Sequence, residues 1–267
     1  MKQQLFIVLL GIISIAIGGC EAVVDFPETN GLKQVPVVEA LLTDQMEPQT
    51  VHFCYSSTIK DSVSAHPVEH ATVFVYSSKG DTMWYNHTGS GYYQSKPYCA
   101  AANITYTLVI QSDTACYRAS STLIPMNGLE NVKIVYTPKY ANDDSAYYLH
   151  FGIGPVMKDN PRYYLTRIIR NHVEITKESS FAILSDKFDK TLDDIKVQYA
   201  LKLEDTVTLE LYSLSQKVYS IYEQMNRIAF LNYSSVGFME NPISMFDKYA
   251  MGFFQVSAVD KKTIVVR

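Results

Sequence analysis

Residues 71–85 read ATVFVYSSKGDTMWY, two short apolar runs on either side of a polar loop. Both runs are rich in β-branched and aromatic residues, which are enriched in β-strands. The loop at residues 77–81 (SSKGD) is typical of a hairpin turn, because Gly80 can take a positive φ without steric cost. This stretch therefore predicts an antiparallel β-hairpin, and the same pattern recurs on both sides of it.

Short apolar runs separated by turn residues extend from residue 35 to residue 123. Seven short strands within about 90 residues match the signature of a small antiparallel sandwich. Residues 124–128 (IPMNG) interrupt the pattern, so we expect a first β domain at residues 35–125. Its predicted strands are Val35–Thr43, Thr50–Tyr55, Ala71–Tyr76, Thr82–Tyr85, Gly91–Ser95, Ile104–Ile110 and Tyr117–Leu123.

A second β domain is expected at residues 129–267, with one helix. In Thr206–Leu214 the apolar residues Val207, Leu209 and Leu211 alternate with Thr208 and Glu210, which predicts an inward and an outward face. The turn at Glu204–Asp205 suggests a hairpin with Ile195–Leu203. Apolar residues at three- and four-residue spacing then predict an amphipathic helix at about residues 215–231. The other predicted strands are Val132–Tyr136, Tyr147–Gly152, Arg162–Arg170, Val173–Thr176, Phe181–Leu184, Ala250–Ala258 and Lys262–Val266.

The fold class expected from these patterns is mainly β: two antiparallel β-sandwich-like domains, the second carrying one amphipathic helix. Twenty tyrosines, many of them beside Val, Ile and Thr, support the assignment to strands.

The first twenty residues have the organisation of an export signal. Lys2 supplies a positive n-region, and residues 5–17 form an apolar stretch shorter than the ~20 residues that span a membrane. Residues 17–20 (IGGC) resemble the bacterial lipobox, whose cysteine is lipidated and becomes the mature N-terminus. We therefore expect a signal peptide at residues 1–19, a lipid on Cys20 and a tether through residue 34.

Charge and cysteine content limit the partners and the covalent framework. The formal net charge is −4 and no basic block occurs, so a nucleic-acid partner is not expected. After Cys20 three cysteines remain, Cys54, Cys99 and Cys116, so at least one thiol is unpaired even in an oxidising compartment. Cys99 and Cys116 flank the predicted strand Ile104–Ile110 and are the preferred disulfide pair, with free buried thiols as the alternative.

One motif could carry metal chemistry. Residues 66–70 (HPVEH) fit the H-x-x-E-H form of zinc peptidases, in which His66 and His70 would share one face of a helix. Pro67 and the strand that follows argue against a helix, so a solvated loop is favoured over a metal site. No G-x-S-x-G elbow, phosphate-binding loop or C-x-x-C occurs, and no cofactor is expected. Carboxylates from distant strands could still assemble into a hydrolytic pair.

One tripeptide, Asp followed by Ser or Thr and an apolar residue, recurs five times. It resembles the O-glycosylation acceptor of Bacteroidota envelope proteins. The alternative is that Asp-Ser and Asp-Thr mark turns entering strands. The candidate acceptors are Ser62, Thr82, Thr114, Ser145 and Thr206.

Nine segments, taken in order, carry a family resemblance: residues 37–44 (VVEALLTD), 67–73 (PVEHATV), 91–93 (GYY), 106–110 (YTLVI), 184–188 (LSDKF), 203–207 (LEDTV), 219–222 (YSIY), 241–242 (NP) and 252–258 (GFFQVSA). Their order resembles a Bacteroidota lipoprotein family, the domain of unknown function DUF4249. Residues 67–110 are also similar to the carboxypeptidase-regulatory or transthyretin-like, immunoglobulin-like sandwich, which has no active site of its own.

The resemblance implies location and partners rather than an activity. Members typically accompany TonB-dependent outer-membrane transporters, so we expect a non-catalytic, lipid-anchored outer-membrane accessory of nutrient uptake, with the face of the membrane left open. It would bind a glycan or peptide or dock on the barrel, and Tyr85, Tyr92, Tyr93 and Tyr98 are the stacking candidates. A structural or adhesive surface protein is the first alternative and a cryptic hydrolase the second.

Overall fold

The computed structural model describes residues 34–57, 65–113, 115–138, 146–154, 162–176, 182–186, 192–233, 243–247 and 250–267. Over these ranges the protein is mainly β, with one helix, as the sequence predicted. None of the described segments contains a helix long and apolar enough to cross a membrane. The strands are β1 (Pro36–Thr43), β2 (Glu47–Ser56), β3 (Ala65–Pro67), β4 (Thr72–Ser77), β5 (Thr82–Gly89), β6 (Tyr92–Tyr98), β7 (Thr105–Gln111), β8 (Cys116–Thr122), β9 (Leu129–Thr137), β10 (Ala146–Ile153), β11 (Tyr163–Arg170), β12 (Val173–Glu174), β13 (Ala182–Ser185), β14 (Ile195–Lys196), β15 (Thr206–Leu214), β16 (Met251–Ser257) and β17 (Val259–Val265); the helix is α1 (Gln216–Tyr233).

The stretch at residues 71–85 forms the expected hairpin between β4 and β5. The Ser77 N–H donates to the Asp81 carbonyl at 2.8 Å, and Gly80 has a φ of 96°. The hairpin lies in a first sheet with the order β16-β1-β2-β6-β5-β4-β7-β8, in which β3 also pairs with β2. Local alternation therefore predicted both the strands and the turn of this hairpin.

The first sheet curves around its own core until its edges approach. An isolated bridge joins Ile124, just after β8, to Ser257 at the end of β16. On β1 the inward residues Val38, Ala40 and Leu42 are at most 1 % exposed. β16 runs parallel to β1, which corrects the expectation of a purely antiparallel arrangement. The two strands are far apart in sequence, so no tight turn forces them to run in opposite directions.

The second half of the chain forms two smaller sheets that enclose a second core. The second sheet has the order β14-β10-β9, and the third has the order β12-β11-β15-β17, with β13 also pairing with β11. The expected hairpin around Glu204–Asp205 is wrong: β14 pairs with β10, while β15 lies between β11 and β17. Of the predicted strand Ile195–Leu203, only Ile195–Lys196 forms a strand, and both it and Leu201 pair with β10 rather than with β15.

The change of pattern at residues 124–128 marks the point where the chain leaves the first sheet. Residues Gln34–Arg267 cluster as one compact unit, because β16 returns to pair with β1. The apolar face of α1, including Val218 and Ile221, packs into the first core together with Leu165 of β11. The division into two domains stays a prediction, and the two halves share a sheet and a core.

Candidate ligand-binding cleft

A cleft of about 870 Å³ lies between the first sheet, the third sheet and α1. Its floor is the outer face of β16, β1, β2 and β6, opposite to the face that covers the first core. Its far wall comes from β11, β12 and β15, and Tyr222, Met225, Asn226 and Ala229 of α1 form its side. Three elements distant in sequence therefore enclose one space.

Strand register places four side chains in one row across the floor. Glu39 of β1 is opposite Phe253 of β16 and His52 of β2, and His52 is in turn opposite Tyr92 of β6. Directly opposite residues point to the same face of a sheet, and all four line the cleft. The rings of His52 and Tyr92 stack with their centroids 4.2 Å apart. We call Phe253, Glu39, His52 and Tyr92 the floor row.

An aromatic residue ends the floor row on each side, and each follows a glycine with positive φ. Gly91 has a φ of 75° and Gly252 a φ of 121°. A Cβ on Gly91 would lie 2.5 Å from the Phe53 carbonyl oxygen, and one on Gly252 would overlap the Val38 carbonyl oxygen. Glycine alone tolerates such close backbone contact, so these two positions fix where the aromatic rings enter the cleft.

Arg167 of β11 lies on the wall facing the floor row and is held by several partners. Its Nε and Nη2 donate to the two carboxylate oxygens of Glu174 at 3.1 and 2.7 Å. Its Nη1 donates to the Tyr212 hydroxyl at 3.0 Å and lies 3.4 Å from Glu210 Oε2. Lys261 Nζ donates to the other Glu210 oxygen at 2.8 Å. These five residues form the Arg167 cluster.

Glu210 corrects the sequence expectation, which placed it on an outward face. Its side chain is 9 % exposed, because β15 is a central strand covered on both faces. Burial acts to raise the pKa of Glu210, but hydrogen bonds from Lys261 and Tyr212, together with the charge of Arg167, outweigh it and lower the pKa. The buried carboxylate is therefore kept ionised by its neighbours.

Arg167 and Tyr212 of the Arg167 cluster are also held in one protonation state. The hydrogen bond to Glu174 raises the pKa of Arg167, although burial opposes the change. Burial raises the pKa of the Tyr212 phenol, and the Glu210 carboxylate adds to this while Arg167 acts against it. At neutral pH the cluster thus presents a neutral phenol between compensated charges.

Helix α1 is tied to the floor through Tyr222. The Tyr222 hydroxyl donates to Gln255 Oε1 at 2.7 Å, and its ring lies 5.3 Å from that of Phe253. Gln255 Nε2 in turn donates to the Ser257 hydroxyl at 2.9 Å. Burial, followed by the negative charge of Glu39, raises the pKa of Tyr222. The helix therefore contributes a neutral, fixed ring beside the floor row.

The chemistry that this arrangement supports is recognition. Aromatic faces, a carboxylate and an imidazole line the floor, which suits a ligand with both an apolar part and a polar group.

The carboxylates on the cleft wall do not have the state that hydrolysis needs. A hydrolytic pair requires two carboxyl groups close together, and Glu174 and Glu210 are close because both contact Arg167. A general acid would need a raised pKa, whereas that of Glu210 is lowered and Glu174 is paired bidentately with a cation.

Of the four tyrosines expected to stack on a ligand, only Tyr92 lies in the cleft, with 45 % of its surface exposed. The expectation is wrong for Tyr85 and Tyr93, which are 6 % and 1 % exposed in the first core. Tyr98 is half-buried against Tyr106, edge to face at 6.3 Å. Successive strand residues point to opposite faces, so Tyr92 and Tyr93 could not both face a ligand.

The preferred disulfide is absent from the structure, in which Cys54, Cys99 and Cys116 are free thiols. Cys99 lies beside the Asp44 carbonyl, towards the start of β7, while Cys116 is paired with the last residue of that strand. A seven-residue strand spans roughly 20 Å, far beyond the ~7 Å between Cα atoms that a disulfide tolerates. Cys99 and Cys116 flank β7 in sequence, and their thiols therefore lie at opposite ends of that strand.

The histidine pair does not adopt the helix that zinc-peptidase chemistry needs. His66 lies in β3, opposite Tyr55 of β2, and His70 is exposed beyond the strand. His70 lines a separate open pocket of about 600 Å³ with Glu69 and Asp113. Among the described residues, no three His, Cys, Asp or Glu side chains are grouped so that they could hold a metal ion.

Two of the five candidate glycosylation sites can be placed. Thr82 is exposed at the start of β5, and Thr206 is half-buried at the start of β15. Asp205, which precedes Thr206, accepts hydrogen bonds from the Lys202 N–H and from Asn171, so this aspartate does cap a turn. Ser62, Thr114, Ser145 and the lipidation site Cys20 lie outside the described residues.

Sequence reasoning missed most of the cleft. It did not single out Glu39, His52, Arg167 or Phe253 as candidate site residues. Two local signals were present: Glu39 is the one charged residue within the apolar strand β1, and both floor aromatics follow a glycine. Neither signal identifies the facing wall, which comes from the second half of the chain.

Comparison with known proteins gives a family and distant structural similarities. The model of a domain of unknown function, DUF4249, matches residues 23–263. No curated protein matches the chain. A DUF4785 family protein from Legionella pneumophila is similar at 13 % identity and a TM-score of 0.23, over 66 % of this chain and only 52 % of that one. A DUF3823 family protein from Bacteroides uniformis is similar at 8 % identity and a TM-score of 0.23, over 88 % of this chain and 100 % of that one.

Proposed function

The chain belongs to the DUF4249 family, and we propose that it is a non-catalytic envelope lipoprotein that captures a small ligand in the cleft. The cleft is the observation that carries this proposal. Its volume of about 870 Å³ falls within the roughly 300–1,000 Å³ of small-molecule sites. It combines aromatic faces with a few polar groups held in place by strand register.

The proposal includes anchoring through a lipid on Cys20 at the outer membrane, beside a TonB-dependent transporter. An anchored protein diffuses in two dimensions, so its effective concentration near a barrel is high and weak contacts suffice. We expect Cys20→Ala to move the protein from the membrane fraction to the soluble periplasm. Crosslinking in intact cells should recover a β-barrel transporter with the wild-type protein. If no transporter is recovered, the alternative of a structural or adhesive surface protein is favoured.

Binding is favoured over the hydrolase alternative by the state of the carboxylates on the cleft wall. Both Glu174 and Glu210 are hydrogen-bonded to Arg167, and Glu210 also to Lys261. Glycoside hydrolysis needs one carboxylic acid that can donate a proton near neutral pH. The partners of these two side chains stabilise their charged forms instead.

Filling the cleft tests the proposal. Thr50 lies on the floor and lines the cleft, so Thr50→Trp should occupy much of the space. Thr105→Trp places the same side chain on an exposed site of β7 outside the cleft and is the matched control. The purified proteins are dialysed to equilibrium against a defined mixture of short peptides and oligosaccharides, and retained compounds are identified by mass spectrometry.

The wild type and Thr105→Trp should retain the same compound, and Thr50→Trp should lose it at unchanged stability. Equal retention by all three proteins would place binding elsewhere, and retention by none would contradict ligand capture. Whether the compound is a peptide or a glycan follows directly from its mass.

An exposed aromatic patch favours a second candidate function, contact with another surface. Trp84 is the only tryptophan of the chain and is 59 % exposed on β5, opposite Phe74 of β4, with Tyr76 two residues further along β4. Exposed aromatic rings of this kind are enriched in protein interfaces. If Trp84→Ala abolishes surface adhesion of cells while ligand retention is unchanged, the adhesive alternative is supported.

A further inference from the structure

We propose that the cleft recognises the positively charged end of its ligand, an ammonium or guanidinium group, and that Glu39 is the residue that binds it. This inference rests on the proposed capture of a ligand in the cleft and adds the chemical class of that ligand. It follows from where the uncompensated charge of the cleft lies.

Glu39 differs from the other acidic side chains around the cleft because no partner compensates its charge. Within the described part of the chain, no hydrogen bond or ion pair reaches its carboxylate, and its side chain is exposed at the middle of the floor row. Glu174 and Glu210 are both paired with Arg167, at 2.7 and 3.4 Å. A ligand cation could therefore bind Glu39 without displacing an existing partner.

The facing cation does not offer an alternative site for an anion. The Nε and Nη2 of Arg167 are both taken by Glu174, and its Nη1 by Tyr212 and Glu210. A ligand carboxylate could pair bidentately with Arg167 only by displacing one of these partners, and the bidentate pair with Glu174 is one of the stronger arrangements in proteins. With Arg167 compensated by Glu174, and Glu210 by Lys261, the charge left over in the cleft is that of Glu39.

The rings around Glu39 suit a cation as well. Phe253 lies directly opposite Glu39 on one side, and the stacked pair of His52 and Tyr92 lies on the other. The Tyr222 ring packs beside Phe253. Aromatic faces attract ammonium and guanidinium groups through the ring quadrupole, and more strongly when water is partly excluded. A carboxylate bordered by aromatic rings can therefore give one positive group both an ion pair and cation–π contacts.

Three capped amino acids that differ mainly in charge test this inference: Nα-acetyl-lysinamide, Nα-acetyl-norleucinamide and Nα-acetyl-glutamic acid α-amide. Their dissociation constants for the full-length protein are measured by NMR titration. We expect the lysine compound to bind about tenfold more tightly than the norleucine compound, because it gains one partly desolvated ion pair and a cation–π contact. The glutamic acid compound should bind most weakly.

The variants Glu39→Gln and Glu69→Gln complete the experiment. Glu39→Gln keeps the shape of the side chain and should abolish the preference for the lysine compound over the norleucine compound. Glu69→Gln removes an exposed carboxylate outside the cleft and should change nothing. If the norleucine compound binds as tightly as the lysine compound, or Glu39→Gln has no effect, the cation inference fails and ligand capture stands. If none of the three binds, the cation inference fails, and the retention experiment with Thr50→Trp decides ligand capture separately.

Discussion

Replacing Arg167 by leucine should destabilise the protein, because two carboxylates on the cleft wall share this cation. Glu174 would lose both hydrogen bonds from Arg167, at 3.1 and 2.7 Å, and Glu210 would keep Lys261 and Tyr212. Removing one partner of a fully buried ion pair costs roughly 3–5 kcal/mol. The Arg167 side chain is one-third exposed, so screening reduces the cost to about 2–3 kcal/mol. The melting temperature should fall by roughly 4–12 °C.

The loss of stability in Arg167→Leu should also depend on pH, and Glu210 determines the direction of that dependence. The pKa of Glu210 is lowered in the folded protein, so its stabilising contribution is present above its ordinary value of 4.5 and is lost as pH falls through the lowered pKa. Without Arg167 this contribution shrinks, since burial then opposes ionisation with fewer partners. The difference in the free energy of unfolding between the wild type and Arg167→Leu should therefore be largest at pH 7 and should decrease below about pH 4.5.

Urea denaturation of the wild type, Arg167→Leu and Arg118→Leu at pH 7 and pH 4 measures this difference. Arg118 is exposed on β8, so the same substitution there should change the free energy by no more than about 0.5 kcal/mol. A loss below about 0.5 kcal/mol for Arg167→Leu, or a loss of equal size at both pH values, would refute the assignment of Arg167 as the partner of buried carboxylates.

Three further outcomes are expected. Tyr93→Phe should cost about 1 kcal/mol in urea denaturation, because the hydroxyl donates to the Val68 carbonyl at 2.8 Å. Tyr85→Phe should be neutral or stabilising, because its buried hydroxyl has no hydrogen-bond partner among the described residues; equal losses would contradict this. Gly252→Ala should lower the melting temperature more than Tyr93→Phe does, and a native value would mean that β16 and β1 are not in close contact. A thiol reagent should modify exposed Cys99 quickly in the native protein and Cys54 only on unfolding, since burial raises the pKa of the Cys54 thiol. Only one reactive thiol among the three after denaturation without reductant would instead reveal a disulfide.

Local sequence patterns were sufficient to predict the helix and many of the strands of this fold. Alternation in residues 71–85 predicted both strands and the turn of the β4–β5 hairpin, and the change of period after residue 214 predicted the helix found at Gln216–Tyr233. These features depend on side chains a few residues apart, which interact within one strand or one helical turn. The order of the nine segments, from residues 37–44 to 252–258, likewise led to the DUF4249 family.

The pairing of distant strands and the burial of charged side chains depend on long-range contacts. The parallel pairing of β1 with β16 and the central position of β15 are long-range contacts that no local pattern encodes. Glu210 alternates with apolar residues as a solvent-facing residue would, yet β15 is covered on both faces and Arg167 compensates the charge. The cleft depends on the same long-range pairing: Glu39, His52 and Phe253 become neighbours through strand register, because a sheet joins residues across the hydrogen-bonding direction whatever their separation along the chain.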